Sequence, residues 1–214
     1  MRVKIKKKGK VKQFKVINKW SDVTLERWIK LIDYHNGTKS KEALNTIAEL
    51  SNIPKQLIKE LELKDVALIM NGIAQLQKKQ DSSLKRIIEI EGKRYGFHPN
   101  LDEITLGEWS DIETMVNNTI EKNMPELMSI LYRPVTAETS NGVYTIAAYD
   151  GDISIRAEQM KKMAAEQVQS ALVFFWNLGK ELSKTLPSFL MDQLRETRMQ
   201  LRQNHSQKSG GTLE

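Results

Sequence analysis

The chain has 214 residues, 40% of them hydrophobic and 28% charged, enough for one large domain or two small ones with a real core. It contains no cysteine, which excludes disulfides, thiolate metal sites and cysteine nucleophiles. The formal charge of +6 is unevenly placed: Lys4, Lys6, Lys7, Lys8, Lys10, Lys12, Lys15 and Lys19 crowd the N-terminus, and Arg195, Arg198, Arg202 and Lys208 form a second basic stretch.

Short-period alternation over residues 3–16, broken at Lys8-Gly9, predicts a hairpin. Its lysines alternate with Val3, Ile5, Val11 and Phe14, which reads as a solvated or edge-protecting face, with nucleic acid as the competing reading. A helix follows, capped by Ser21 or Asp22, with Leu25, Trp28, Ile29 and Ile32 as its apolar stripe. Gly37 to Ser40 opens a second helix carrying Ala43, Leu44, Ile47 and Leu50. Val66, Ile69, Ile73 and Leu76 lie at helical spacing in a third segment, and the polar residues 77–83 read as a linker.

The pattern then begins again. Ile88 and Ile90 face one way, Glu91-Gly92-Lys93 turns the chain, and Tyr95 and Phe97 return on the same face. Ile104-Thr105-Leu106-Gly107-Glu108-Trp109 matches Val23-Thr24-Leu25-Glu26-Arg27-Trp28, 81 positions earlier, and Asp102 or Thr105 would cap its helix. Each Trp is expected to sit in a core of its own. A helix opened by Asn123-Met124-Pro125-Glu126 carries Leu127, Met128, Ile130 and Leu131 and ends near Arg133-Pro134. Val143 to Ile146 could form a short strand. One long helix is then expected from Asp152 or Ser154 towards Leu182, with Pro187 interrupting before a last charged helix at 189–203 and a disordered tail at 204–214. Residues 1–8 lack the apolar segment of a secretory signal, and the longest apolar run, Ala171 to Trp176, falls far short of the roughly 18 residues a membrane span needs, so no membrane is expected.

The chemistry-bearing residues form no constellation. His35, His98 and His205 stand in separate segments and read as surface or turn residues, and no phosphate-binding glycine loop or nucleophile elbow is present. Asp150-Gly151-Asp152 resembles the opening of a calcium loop without the later ligands, and reads as a turn before a helix. No catalytic residue, cofactor or metal is expected, and an enzyme is not. Phe174-Phe175-Trp176 is the most concentrated apolar group. Consecutive aromatics point about 100° apart on a helix, so the helix is either surrounded or presents one side to a partner. Met160 and Met163 would extend such a surface with soft, repackable side chains. Arg133, directly before a proline, could hold a carboxylate or terminal carbonyls as a clamp, or serve a partner.

The run Ile104 to Trp109, then Ile130-Leu131-Tyr132-Arg133-Pro134-Val135, then Tyr149-Asp150-Gly151, then Phe174 to Gly179, resembles uncharacterised structural and assembly proteins of tailed phages, some of them tail assembly chaperones. The resemblance spans roughly residues 95–190. It implies a non-enzymatic protein of virion assembly that binds other phage structural proteins, or a second copy of itself, in the bacterial host cytoplasm or in the virion.

The expected fold is therefore α+β and predominantly helical: two hairpin-plus-helix repeats at residues 1–80 and 84–135, a C-terminal helical arm at 136–203 and a tail at 204–214. The expected partner surface comprises Met160, Met163, Phe174, Phe175, Trp176 and Arg133. Lys4, Lys6, Lys7 and Lys8 are the nucleic-acid contacts of the alternative, a small basic nucleic-acid-binding protein.

Overall fold

The computed structural model describes residues 2–7, 10–79, 83–117 and 120–181. Among them are eight α-helices, a two-stranded sheet and a four-stranded sheet, an α+β arrangement in which helix dominates. The expected last helix at 189–203 and the tail at 204–214 lie outside the described residues.

Strands β1 (Arg2–Lys7) and β2 (Lys10–Lys15) pair antiparallel, with Val3 opposite Phe14 and Ile5 opposite Lys12. Val3, Ile5 and Phe14 share the face that packs inward with Val16. The chain then makes a 3₁₀ turn at Trp20–Asp22 and enters α1 (Leu25–Tyr34), α2 (Lys39–Leu50), α3 (Lys55–Ile58) and α4 (Leu63–Lys78). Thr24, not Ser21 or Asp22, caps α1 by accepting the Arg27 N–H. The Asp22 carboxylate instead accepts the Lys19 N–H and closes the 3₁₀ turn. The far side of β2 is held by the end of α2 and the residues just after it: Ile17 N–H donates to Leu50 O and Asn52 N–H to Lys15 O, both at 3.0 Å. Trp20, Val23, Leu31, Ile47, Leu50, Ile69 and Ile73 fill this first core.

The second core is built on a sheet of order β3-β4-β5-β6, antiparallel throughout, from β3 (Ile87–Ile90), β4 (Lys93–Phe97), β5 (Tyr132–Glu138) and β6 (Tyr144–Ile146). Glu91 and Gly92, both at positive φ (51° and 77°), make the two-residue turn between β3 and β4. Ile88, Ile90, Tyr95 and Phe97 are all buried, as the alternation predicts. Helices α5 (Leu106–Asn117) and α6 (Met124–Leu131) are inserted between β4 and β5. α6 passes into β5 without a loop, so Arg133 and Pro134 lie in a strand rather than at a helix end. Gly96 is required where the Tyr144 ring crosses β4, since a Cβ there would lie 2.5 Å from a ring carbon.

Two expectations about the C-terminal third change. The boundary at 135/136 falls inside β5, and β6 completes the sheet, so residues 136–146 belong with the second sheet. The single long helix is two, α7 (Ser154–Met160) and α8 (Ala165–Glu181). The break has a physical cause. Leu25 and Glu26, whose N–H groups are free at the start of α1, donate to Met163 O at 2.7 Å and Lys161 O at 3.0 Å, and Ala165 N–H donates back to Val23 O at 2.8 Å. The α-helix is interrupted over residues 161–164 to make this clasp, with Ala164 bridged to Thr24. The clasp ties the two halves together: Leu25 lies in the second core, Ala165 in the first, and Trp28 packs against both instead of holding a core of its own.

Candidate functional site

Two regions present themselves, one buried and one open. The buried one grows from the start of α5. Thr105 and Glu108 form a capping box: Glu108 N–H donates to Thr105 Oγ1 at 3.2 Å, while the Thr105 N–H and hydroxyl both donate to Glu108 Oε2 at 2.7 Å. The other carboxylate oxygen, Oε1, faces Arg133 Nη2 at 2.8 Å and His98 Nε2 at 3.7 Å. Glu108, Arg133 and His98 are 1%, 5% and 8% exposed, so this is an ionic cluster inside the fold. The Arg133 guanidinium lies 5.9 Å from the centroid of the Tyr149 ring, whose hydroxyl donates to the Asp111 carboxylate. Asp150 is gripped by both terminal nitrogens of Arg156, at 2.9 and 3.1 Å. Asp150-Gly151-Asp152 is thus a turn, with Gly151 at φ 74° and Asp152 N–H donating to Asp150 Oδ1.

Burial sets the electrostatics of the cluster. It pushes the Glu108 carboxyl up, but the two Thr105 donors and the Arg133 and His98 charges outweigh it, leaving the carboxyl below its usual range. Burial, reinforced by the Arg133 charge, holds the His98 imidazole below its ordinary value. The Tyr149 phenol is raised by burial and by its bond to Asp111. The pairing is close but not complete. Arg133 Nη2 reaches Glu108 Oε1 at ion-pair distance without directional hydrogen-bond geometry, and Arg133 Nε and His98 Nδ1 have no hydrogen-bond partner. The arrangement anchors α5 to β5 through one carboxylate, which is the clamp reading of Arg133.

The open region runs along β1. Among the described residues, no strand pairs with β1 on the side away from β2. A groove of about 660 Å³ follows that edge, bounded by four consecutive residues of β1, Arg2 to Ile5, and by α4 and the loop before it. Because consecutive strand residues line it, its wall is the edge of the strand rather than one face. Leu68 lines the groove at 69% exposed, and Leu63, 85% exposed, begins the same helix. Glu60, Glu62 and Asp65 stand on the helical side and Arg2 and Lys4 on the strand side.

The expected site residues fall differently. Met160, Met163 and Phe175 are interior, at 0%, 1% and 4% exposed, because α7 packs on α6 and α8 contributes to the same core instead of standing free as an arm. Phe174 is half-buried, its ring edge-on to Phe97 at 5.5 Å. Arg133 is buried in the ionic cluster. The Trp176 side chain, those of Lys6 and Lys7, and all of Lys8 lie outside what is described. Lys4 is exposed on β1. Two members of the cluster escape sequence reasoning. His98, expected at the surface or in a turn, is buried, and Glu108 is expected only as part of a helix start. The third-position Glu after Thr105 is the signal that could have found it. The exposed leucines have one too, since Leu68 falls off the stripe of Val66, Ile69 and Ile73.

Among the described residues, no group of three or more His, Asp or Glu side chains is placed to hold a metal ion, and no helix is long and apolar enough to cross a membrane. No protein-family model matches the chain, and no curated protein or solved structure is significantly similar to it.

Proposed function

We propose that the chain is a non-enzymatic binding protein of phage particle assembly, a tail assembly chaperone or minor virion component, and that it takes an extended segment of another phage structural protein along the β1 edge. The motif run over residues 95–190 supports the phage setting. The observation that carries the binding mode is the unpaired edge of β1 beside the exposed Leu63 and Leu68. An open edge offers a row of backbone donors and acceptors to an added strand, and flanking apolar side chains supply the contacts that select it. The partner surface is thus relocated from residues 160–178, whose Met160, Met163 and Phe175 are interior, to the N-terminal half.

The test is co-elution of the purified chain with purified tail and head proteins of the phage whose genome encodes it. Complex formation with one of them is expected, and its loss in the double variant Leu63→Glu, Leu68→Glu. Both side chains are exposed, so that variant should fold. Co-elution with none of the structural proteins would remove the proposal, as would binding that ignores the double variant.

A further inference from the structure

We propose that the outward face of the β1–β2 hairpin binds the phosphate backbone of nucleic acid, without regard to base sequence. Residues 1–20 contain nine Lys and Arg and no Asp or Glu. The remaining chain, with 24 basic and 27 acidic residues, is net −3, so the whole positive balance of the protein resides in its first hairpin and the turn after it.

The register fixes which way that charge points. Arg2 stands opposite Lys15 and Lys4 opposite Gln13, and alternation puts these four on one face. The other face carries Val3, Ile5 and Phe14 into the first core, with Lys12 opposite Ile5 on that side, so the face of Arg2, Lys4 and Lys15 cannot turn inward. Arg2 and Lys15 are like charges in directly opposed positions, which weakens a two-stranded pair standing alone. Among the described residues, no carboxylate pairs with Arg2, Lys4, Lys12 or Lys15, all of them exposed. Elsewhere on the surface Lys30, Lys64, Lys161 and Lys162 each have a Glu partner. The hairpin thus presents cations that an external anion can neutralise.

The chemistry of the face selects the partner. Side chains at alternate strand positions stand about 6.8 Å apart, so the face presents its cations as a regular row to a duplex that carries one negative charge per roughly 1.7 Å of axis. A two-stranded ribbon also has the breadth to lie in a major groove of roughly 12 Å. An acidic protein fits less well, because protein interfaces centre on buried aromatic and apolar anchors, and among the described residues the only exposed apolar side chain on this face is Val11. Contacts limited to phosphate carry no sequence information. Arg2 and Lys4 also border the edge groove, but different variants test the two assignments, Leu63 and Leu68 for the structural-protein partner and Arg2, Lys4 and Lys15 for nucleic acid, so the two stand or fall separately.

The experiment measures binding of the full chain to a fluorescent mixed-sequence duplex of about 20 base pairs across a salt series starting near about 50 mM. The logarithm of affinity should fall linearly with the logarithm of salt. In the triple variant Arg2→Gln, Lys4→Gln, Lys15→Gln the slope should shrink by about 2–3, at roughly 0.9 for each phosphate no longer neutralised. A control triple, Lys64→Gln, Lys161→Gln, Lys162→Gln, makes the same change in net charge and should leave the slope unchanged. On the unmodified chain, duplex DNA should protect Lys4 and Lys15 from acetylation and leave Lys64 and Lys162 reactive. Absence of binding at low salt, equal weakening by both triples, or uniform acetylation would each overturn the assignment. So would poly-glutamate binding as tightly as DNA charge for charge, which would make the partner an acidic polypeptide.

Discussion

The two Thr-Leu-x-x-Trp helix starts differ in one position that decides what each does. At α1 the sequence is Thr24-Leu25-Glu26-Arg27, and at α5 it is Thr105-Leu106-Gly107-Glu108. The acidic residue stands second in the first helix and third in the second. The second-position carboxylate of Glu26 turns to solvent and meets Lys30 one turn on, at 3.0 Å. The third-position carboxylate of Glu108 folds back on Thr105 and becomes the buried counter-ion of Arg133. Having no such glutamate, α1 satisfies its first amides with the carbonyls of Lys161 and Met163. Both starts have a threonine cap, and beyond it one is closed by a glutamate of its own and the other by a distant stretch of backbone. A helix N-terminus demands acceptors, and the fold meets that demand locally or by long-range docking.

The sharpest way to break this comparison is to remove the two carboxylates in turn. Glu108→Ala leaves the Arg133 charge buried without a counter-ion and deletes half of the capping box. The expected loss is about 3–5 kcal/mol of unfolding free energy, read from urea denaturation. If Glu108→Ala cost no more than a surface substitution, the cluster would not be the anchor between α5 and β5.

Acid separates the two starts in the same sense. His98 is held below its ordinary value of 6.5 and Glu108 below its ordinary value of 4.5. Both are depressed in the folded state, so the unfolded chain binds more protons and stability falls as pH falls. The His98 contribution is fully present above about pH 6.5 and is lost as pH drops through its folded value, and that of Glu108 follows below about pH 4.5. His98→Gln should flatten the first limb of the stability–pH curve and leave the second. A wild-type curve that stayed level from pH 7 down to the carboxylate range would contradict the burial of His98.

These details show where local pattern reaches and where it stops. The alternation of Ile88, Ile90, Tyr95 and Phe97 is set by the pleat itself, and the cap at Thr105 by the first turn of one helix, so both are legible. The break between α7 and α8 is not, because Met160, Met163 and Val168 continue an apolar face across it. Nothing in residues 161–164 marks a stop, and what ends α7 is backbone pairing with residues 23–26, far away in the chain. Burial of the 160–175 face follows from the same docking, and periodicity cannot distinguish a face packed at home from one offered to a partner. The extended run Tyr132–Glu138 is hidden by Pro134, which argues against a central strand. Its carbonyl still accepts from Ala147, and the register shifts between Val135 and Ala137 just beyond it. His98 and Arg133 meet because β4 and β5 are neighbours, a fact of topology rather than of spacing.

Removing the two capping hydroxyls asks a finer question. Thr24→Ala and Thr105→Ala each delete one side-chain acceptor and should cost about 0.5–2 kcal/mol. Thr105→Ala should lie at the upper end, since its hydroxyl also donates to Glu108, and a double-mutant cycle with Glu108 should reveal coupling of at least about 0.5 kcal/mol. The corresponding cycle of Thr24 with Glu26 should show additivity, because no bond joins that pair among the described residues. Coupling of equal size in both cycles would mean that the two starts work alike.

The smallest effect is the most discriminating. Glu26→Ala removes an exposed i,i+4 partner of Lys30, a class of ion pair worth about 0.3–0.5 kcal/mol and screened by salt. Its cost should therefore be near the limit of measurement and should vanish at about 1 M salt, where the screening length is roughly 3 Å. The Glu108 cost should persist there, because a buried pair is little screened. Comparing the two variants at low and high salt thus separates a solvated carboxylate from an enclosed one at equivalent helix starts. A Glu26 effect that survived high salt would place that carboxylate in the clasp with Lys161 rather than on the surface.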